Sequence, residues 1–562
     1  MQQSRLFIAI ALSFVVFFLW EVFFVDRESL VQNNNNNTIQ SDSIDMPVET
    51  PAATASAGIK AKQEEKQMDY DTHGAKYSNI PQNKPRIITV NTPLYSVRIS
   101  EKGAVFKSFI LKEFKENGTP NSPYLQLCSA TSEIGTILTQ FRADSFSCPE
   151  DSFFKANISD DTVDVIDGSF EIPFTCLSPD GLVIEKRFLF SPETYLISLN
   201  VSIKNTSSRA IKGDLMLSLV DDLPGKNSGY SFEGPTAYIN NELEQIKIKK
   251  LKDKNLFDGM ISWIALEDRY FASSIISDNS APARMEINVE KNDILKSTYI
   301  QTIGSINSGE KHVSSFHLYF GPKRISILSG LGYNLDKIVN FGMFDFLAKP
   351  CLYVMNFLYK FIPNYGFAII ILTILIKLIL WPLGSKSYKS MSEMKKLQPL
   401  MTQIREKYKN DKQMMNQEIM GLYKTYKVNP LGGCLPMVVQ IPIFFAFYRM
   451  LYQAIELRHA PFLFWINDLS APDRLFHFNF TIPFMEPPYG IPVLTIIMGG
   501  TMFLQQKMSP PMGDPAQAKI MMFMPIVFTV IFINFSSGLV LYWLVNNILS
   551  ISQQYYIQEK HS

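Results

Sequence analysis

The sequence predicts a membrane protein in which six transmembrane α-helices, one N-terminal anchor and a five-helix core, flank a large extracytoplasmic β-sandwich between the first and second spans. Three observations carry that prediction. Apolar residues, 46% of the 562-residue chain, gather into long blocks and do not spread along amphipathic helices. Residues 86–334 instead show short runs alternating at period two, punctuated by turn dipeptides. The longest connector between the later blocks is strongly basic, the mark of a loop retained in the cytoplasm.

The first block, Leu6 to Val25, runs 20 residues and is broken only by Ser13 and Glu21. A helix of that length crosses a hydrocarbon core of ~30 Å. It ends in Phe23-Phe24-Val25-Asp26, without the small-x-small pattern of a cleaved signal. Residues 1–30 are therefore read as an uncleaved anchor. Residues 31–85 carry five successive asparagines, Asn33 to Asn37, and a Pro-Ala-Ala-Thr-Ala-Ser-Ala tract. Such a composition cannot build a core and reads as a disordered linker.

The alternation in residues 86–334 is clear in Tyr95-Ser96-Val97-Arg98-Ile99 and in the run Tyr195 to Val201. Asn117-Gly118, Asp167-Gly168 and Pro179-Asp180-Gly181 supply tight turns between such runs. An antiparallel β domain of two packed sheets follows. Residues 335–364 centre on Phe341 to Phe361, where aromatic and aliphatic residues mix with Asp345, Lys349 and Lys360. That mixture suits an amphipathic helix lying in the membrane interface.

Residues 365–562 hold five further apolar segments: Phe367 to Leu383, Cys434 to Leu457, Gly490 to Leu504, Ile520 to Phe535, and Gly538 to about Ile551. The connector 385–430 between the first two has ten Lys or Arg against four acids, a net of +6. The connector from Arg458 to Tyr489 has only Arg458 and Arg474 as fixed cations. The positive-inside rule then puts both termini and the basic connector in the cytoplasm and the β domain outside. Within the connector, Met391, Met394, Leu397, Met401, Ile404 and Tyr408 recur at helical spacing, as do Met415, Ile419, Leu422 and Tyr426 beyond a break at Asn410-Asp411. Two amphipathic helices in a hairpin fit that pattern. It is either a solvated arm that merely obeys the charge rule or a docking arm for anionic lipid and incoming chains.

The overall charge of +1 names no partner and gives no basis for direct nucleic-acid binding. The five cysteines, Cys128, Cys148, Cys176, Cys351 and Cys434, show no CxxC spacing, so neither a metal nor any cofactor is expected. The first three fall in the extracytoplasmic region, where one disulfide would leave a thiol over. Sequence does not choose the pair.

Particular motifs add a resemblance. The runs Lys427 to Pro436 (KVNPLGGCLP), Gln440 to Phe444 (QIPIF), Phe462 to Leu469 (FLFWINDL), Gln506 to Pro510 (QKMSP), Phe523-Met524-Pro525 and Ser537 to Trp543 (SGLVLYW) resemble, in order, motifs of the YidC/Oxa/Alb insertase family. Trp263-Ile264-Ala265 and Tyr270-Phe271-Ala272 extend the likeness into the β domain, in the bacterial form with a large periplasmic domain. The resemblance implies a non-enzymatic insertase and chaperone of the bacterial inner membrane. Its β domain would be a periplasmic supersandwich, and its core helices would surround a hydrophilic groove open to the cytoplasm. The implied partners are nascent membrane proteins, the Sec translocon, the ribosome and signal recognition particle pathway, and membrane lipids.

The groove candidates are Lys377, Thr373, Gln440, Tyr542 and Trp543. Lys377 interrupts Ile374-Leu375-Ile376 and Leu378-Ile379, and Thr373 lies four residues before it on the same face. A lone ammonium in a span costs a few kcal/mol unless water or a partner reaches it. It is either part of a polar stripe or a lysine snorkelling to the interface beyond Trp381-Pro382. Where the family usually carries arginine this chain has lysine, which keeps the charge but loses the planar fork. Gln440, between Pro436 and Pro442, either lines the groove or repairs carbonyls released by proline. Tyr542 and Trp543 match family positions that contact substrate, and aromatic anchors would read the same way.

A transporter would show paired halves with broken helices, which five core spans do not give. An envelope enzyme would need paired acids. Asp221-Asp222 and Glu267-Asp268 are sequence neighbours whose side chains point to opposite faces of a strand.

Overall fold

The computed structural model describes residues 85–119, 121–128, 134–143, 147–178, 181–224, 231–279, 281–426, 428, 435–509 and 515–561. The anchor, the linker to residue 84 and most of the Lys427 to Pro436 motif lie outside the described residues.

Period-two alternation becomes two sheets. A five-stranded sheet runs in the order Tyr124–Gln126, Val105–Lys115, Tyr95–Ser100, Ile87–Asn91, Thr162–Asp164, with only the last pair parallel. A larger, 14-stranded sheet follows a path from Ser147–Cys148 to Lys155–Ala156, and its antiparallel centre includes Ile211–Asp222, Ile294–Ile306, Leu256–Glu267 and Lys311–Pro322. In Leu182–Phe190 alternate residues are buried along the whole strand, as one core-facing side requires. Gly168 has φ +71° between Thr162–Asp164 and Phe170–Leu177, a conformation glycine adopts without the Cβ penalty.

The sheets meet through aromatic rings. Phe106 of the smaller sheet lies 5.3 Å from Phe188 and 5.6 Å from Phe320 of the larger one, and Phe109 stacks on Phe320 at 4.9 Å. Offset and tilted rings at these separations add to the apolar burial that holds sheet on sheet. Elsewhere in the β region Lys323 Nζ lies 2.7 Å from Glu267 Oε2, with both side chains almost wholly buried. Thr236 and Gln245 donate to the same carboxylate, and Lys323 also donates to the Asp268 carbonyl, so the buried pair is well supplied with hydrogen bonds.

The helices follow: α1 (Ile325–Leu331), α2 (Asp345–Phe361), α3 (Tyr365–Ile379), α4 (Trp381–Lys407), α5 (Lys412–Thr425), α6 (Leu435–Gln453), α7 (Val493–Met508), α8 (Pro515–Phe532) and α9 (Ser537–His561). Helix α2 buries Ala348, Cys351, Leu352 and Met355 and exposes Phe346, Phe357 and Phe361. The β region is tied to the end of α6, because Arg269 Nε donates to the Tyr452 carbonyl at 2.7 Å and its guanidinium lies 3.6 Å from the Tyr452 ring. Beyond that helix, Arg458 donates to the Lys115 carbonyl at 2.7 Å.

Two helix boundaries depart from the sequence expectation. The apolar run Phe367 to Leu383 is not one helix: α3 and α4 meet at Leu380 with a bend of 65°. Pro382 has no N–H for the Leu378 carbonyl, and its ring crowds that turn. The final helix does not stop near Ile551 but continues to His561. Among the described residues no single helix is long and apolar enough to cross a membrane alone, while the bent pair α3 and α4 passes that test together.

Candidate functional site

Helix α9 organises the site by packing against α3, α4, α6 and α7. Asn364 caps α3 by accepting from the N–H groups of Gly366 and Phe367 at 2.9 and 3.3 Å. Opposite, Phe462 packs so closely that a Cβ on Gly366 would lie 2.0 Å from its ring. These contacts fix the start of α3, and the Pro382 bend fixes its end. Between them α3, α4, α6 and α9 line a small cleft that is partly open to solvent.

Four of the five sequence candidates line this cleft: Thr373, Lys377, Gln440 and Tyr542. Lys377 Nζ donates to Ser550 Oγ at 2.6 Å, and Ser550 in turn donates to the Asn546 carbonyl at 2.7 Å. Among the described residues no carboxylate pairs with Lys377. The bend leaves it in the last turn of α3. A cation is favoured there by the helix dipole. Thr373 is buried, and its hydroxyl donates to the Ile369 carbonyl at 2.7 Å, so it contributes its methyl face more than a free hydroxyl. Tyr542 and Gln440 line the same cleft, and the Tyr542 ring stacks on Phe447 at 4.6 Å. Trp543 is elsewhere: its indole packs against Phe444 at 4.6 Å and Phe532 at 4.7 Å. Successive residues on a helix are rotated about 100° apart, which sends Tyr542 to the cleft and Trp543 into this aromatic cluster.

The cleft also gathers residues that sequence reading missed. Tyr388 on α4 lines it as well. Gln553 donates to the Trp381 carbonyl at 3.0 Å and to Ser385 Oγ at 3.4 Å, bracing the bend. Tyr542, Asn546, Ser550 and Gln553 recur at steps of four, four and three on α9, one polar stripe on a helix. That spacing was available in the sequence, but it runs past the apolar block and so escaped a search guided by hydropathy.

The polar stripe contrasts with apolar surfaces pointing outward. Leu378 and Ile379 on α3 and Phe523 and Ile526 on α8 are all more than half exposed. Helices with a polar inner stripe and apolar exteriors suit a bilayer. Among the described residues there is no cluster of acids, histidines or cysteines able to hold a metal ion.

A family model described as 60Kd inner membrane protein matches residues 357–562, and one described as YidC periplasmic domain matches residues 87–354. A protein named membrane protein insertase YidC from Syntrophus aciditrophicus is 39% identical over 99% of this chain and 100% of its own length. Another of that name from Syntrophobacter fumaroxidans is 43% identical over 83% of this chain and 85% of its own. A solved active YidC insertase with its first transmembrane domain resolved aligns over 85% of this chain and 93% of its own at 17% identity and a TM-score of 0.36. Two family models that together cover the β region and the helical region, and full-length relatives at such identity, show that this chain belongs to the YidC family of membrane protein insertases, which are bacterial inner membrane proteins.

Proposed function

We propose that the cleft between α3, α4, α6 and α9 receives hydrophobic segments of nascent inner-membrane proteins from the cytoplasm and releases them sideways into lipid, working alone or beside the Sec translocon. The observation that carries this reading is the Lys377 ammonium, held by Ser550 inside a cleft whose outer helix faces are apolar. A wet, positive recess shortens the apolar distance that a polar flank of a client must cross. No bond to the client is made or broken, so the work is that of an insertase and folding chaperone and not of an enzyme. In this reading six spans cross the membrane, both termini and the α4–α5 hairpin are cytoplasmic, and the β region is periplasmic. Ribosomes delivering clients by the signal recognition particle pathway would approach the basic hairpin.

Photo-crosslinking amino acids placed at Gln440 and Asn546, both half-buried in the cleft, test the reading. Stalled nascent chains carrying one hydrophobic segment should crosslink from both positions and much less from Phe523, which faces outward. Equal capture from all three positions would show that clients meet the protein through lipid and not through the cleft.

A further inference from the structure

The connector between α6 and α7 turns a charged pair inward and its phenylalanines outward. Asp473 and Arg474 are 2% and 8% exposed, whereas Phe464, Phe476, Phe480 and Phe484 are 88%, 66%, 63% and 81% exposed. Water favours the reverse arrangement, and large rings gathered on a surface mark something that covers them. The polar side chains exposed among the last three rings are His477, Asn479, Thr481 and Glu486. Such a mixture suits the head-group edge of a bilayer and not its hydrocarbon middle.

Three of these rings stand on backbone that resists them. Phe464, Phe476 and Phe484 have φ of +56°, +56° and +63°, the left-handed region in which a bulky side chain is strained and asparagine or aspartate is tolerated. Turns of that conformation in the β region use Asn240-Asn241 and Asn292-Asp293. The connector braces its phenylalanines with a frame. Arg474 donates to the carbonyls of Asp473 and Ile533 at 2.8 Å and of Pro488 at 2.9 Å. Asn534, between α8 and α9, donates to the Phe484 carbonyl at 3.0 Å and accepts from the Glu486 N–H at 2.9 Å. Asp473 accepts from the Trp465 indole and from the Leu494 N–H in the first turn of α7. Exposed rings held at strained positions by such a frame point to a surface with a task.

The helices that the connector joins say what covers it. Helix α7 has 16 residues and α8 has 18; at 1.5 Å per residue they reach about 24 and 27 Å, short of a hydrocarbon core of ~30 Å. Exposed apolar side chains run to their connector ends: Ile496 and Ile497 on α7, Val527 and Val530 on α8, with Ile491 leading into the connector. A span too short for its bilayer is matched by thinning the lipid or by groups at its ends. We propose that this connector is an aromatic fringe seated in the outer leaflet, where Phe464, Phe476, Phe480 and Phe484 enter the boundary of head groups and acyl chains and lengthen the lipid-facing surface of α7 and α8. The proposal rests on the reading that the connector and the β region lie on the periplasmic side.

The test is made on the full chain in cells whose phospholipids carry radioactive phosphate. A benzophenone amino acid replaces Phe464, Phe476 or Phe484 in turn, with Leu177, 74% exposed in the β region, as the control for an apolar side chain in water. After irradiation and purification in denaturant, each of the three connector positions should carry at least fivefold more labelled lipid than Leu177. If two or more of the three carry no more lipid than Leu177, the fringe is wrong. Adducts with a protein chain in place of lipid would make the rings a docking surface for a client or a translocon subunit, and would equally overturn the proposal. A second arm separates this failure from a failure of the location. The connector is tied to the β region where Arg458 donates to the Lys115 carbonyl, so both lie on one side of the membrane. Asp253→Cys, on an exposed turn of the β region, should react with a membrane-impermeant maleimide in spheroplasts above the level of the native chain. If it reacts and lipid adducts are missing, the fringe alone is wrong. If Asp253→Cys is protected, the periplasmic reading falls and takes the outer-leaflet fringe with it.

Discussion

Lys377 Nζ donates to Ser550 Oγ across the interface of α3 and α9 at 2.6 Å, so among the described residues its partner is a neutral hydroxyl and not a carboxylate. In the proposed reading its charge is available to a client. Lys377→Arg is expected to insert clients as well as the native chain. Lys377→Leu is expected to reduce insertion of a client with an acidic translocated flank by about tenfold, equivalent to ~1.4 kcal/mol of lost attraction, and to spare a matched neutral client. The comparison is made in cells depleted of the native insertase. Equal insertion of both clients by Lys377→Leu would reduce Lys377 to an interfacial anchor.

Helices α7 and α8 touch through a glycine. A Cβ at Gly499 would lie 2.1 Å from Thr529 Oγ1, whereas one at Gly500 meets nothing within 4 Å. Small residues at such contacts let membrane helices approach closely. Gly499→Ala should force the helices apart and lower the thermal midpoint of the detergent-solubilised protein. Gly500→Ala should leave it unchanged or raise it slightly, because alanine favours the helix by roughly 0.5–1 kcal/mol. Indistinguishable melting of the two variants would refute the contact.

Much of the architecture was legible before coordinates, and the exceptions have physical causes. Strands read well because one buried face imposes period two, as in Leu182–Phe190. The bend at Leu380 did not, because hydropathy is continuous through Trp381-Pro382, and membrane helices tolerate proline often enough that Pro382 alone does not mark a break. Lys377 stood out as a charge in an apolar block, while Ser550 and Gln553 did not, since they lie where α9 leaves its apolar stretch. Trp543 was grouped with Tyr542 by motif, but a helix separates neighbours by rotation and sends its ring toward Phe444 and Phe532.

The α4–α5 hairpin should be needed for insertion yet dispensable for folding of the core. Its apolar seam is a separate small cluster of Met394, Leu397 and Val428, flanked by Leu400, Leu422 and Tyr423, and it shares no core with the cleft. Replacing residues 394–426 with a short flexible linker should leave the melting midpoint of the remaining helices near the native value while insertion falls several-fold. A stably expressed deletion with full activity would show that the arm only obeys the charge rule.

Lys186 makes the stability of the β region depend on pH. Burial lowers its ammonium from the ordinary lysine value to about 7 in the folded chain, whereas the unfolded chain titrates near 10.4. The titratable group beside it is Cys148. Between those two values the unfolded state holds the proton and the folded state does not, so stability rises with pH across that window. Below pH 7 both states are protonated and the cost of burying the charge is fully present, on the order of 4–5 kcal/mol. Lys186→Met removes the titration but leaves the Gly103, Ala104 and Ile137 carbonyls without their donor, at roughly 1–3 kcal/mol. The native β region should therefore melt progressively higher from pH 7 to pH 10, and the variant should lose that slope while melting lower at pH 10. The measurement is the β-region transition of the full-length protein in detergent, followed by the fluorescence of Trp263, which is fully buried and stacks on Tyr238 at 5.8 Å. A native protein with no rise across this window, or a variant that keeps it, would show that Lys186 is neutral or hydrated throughout.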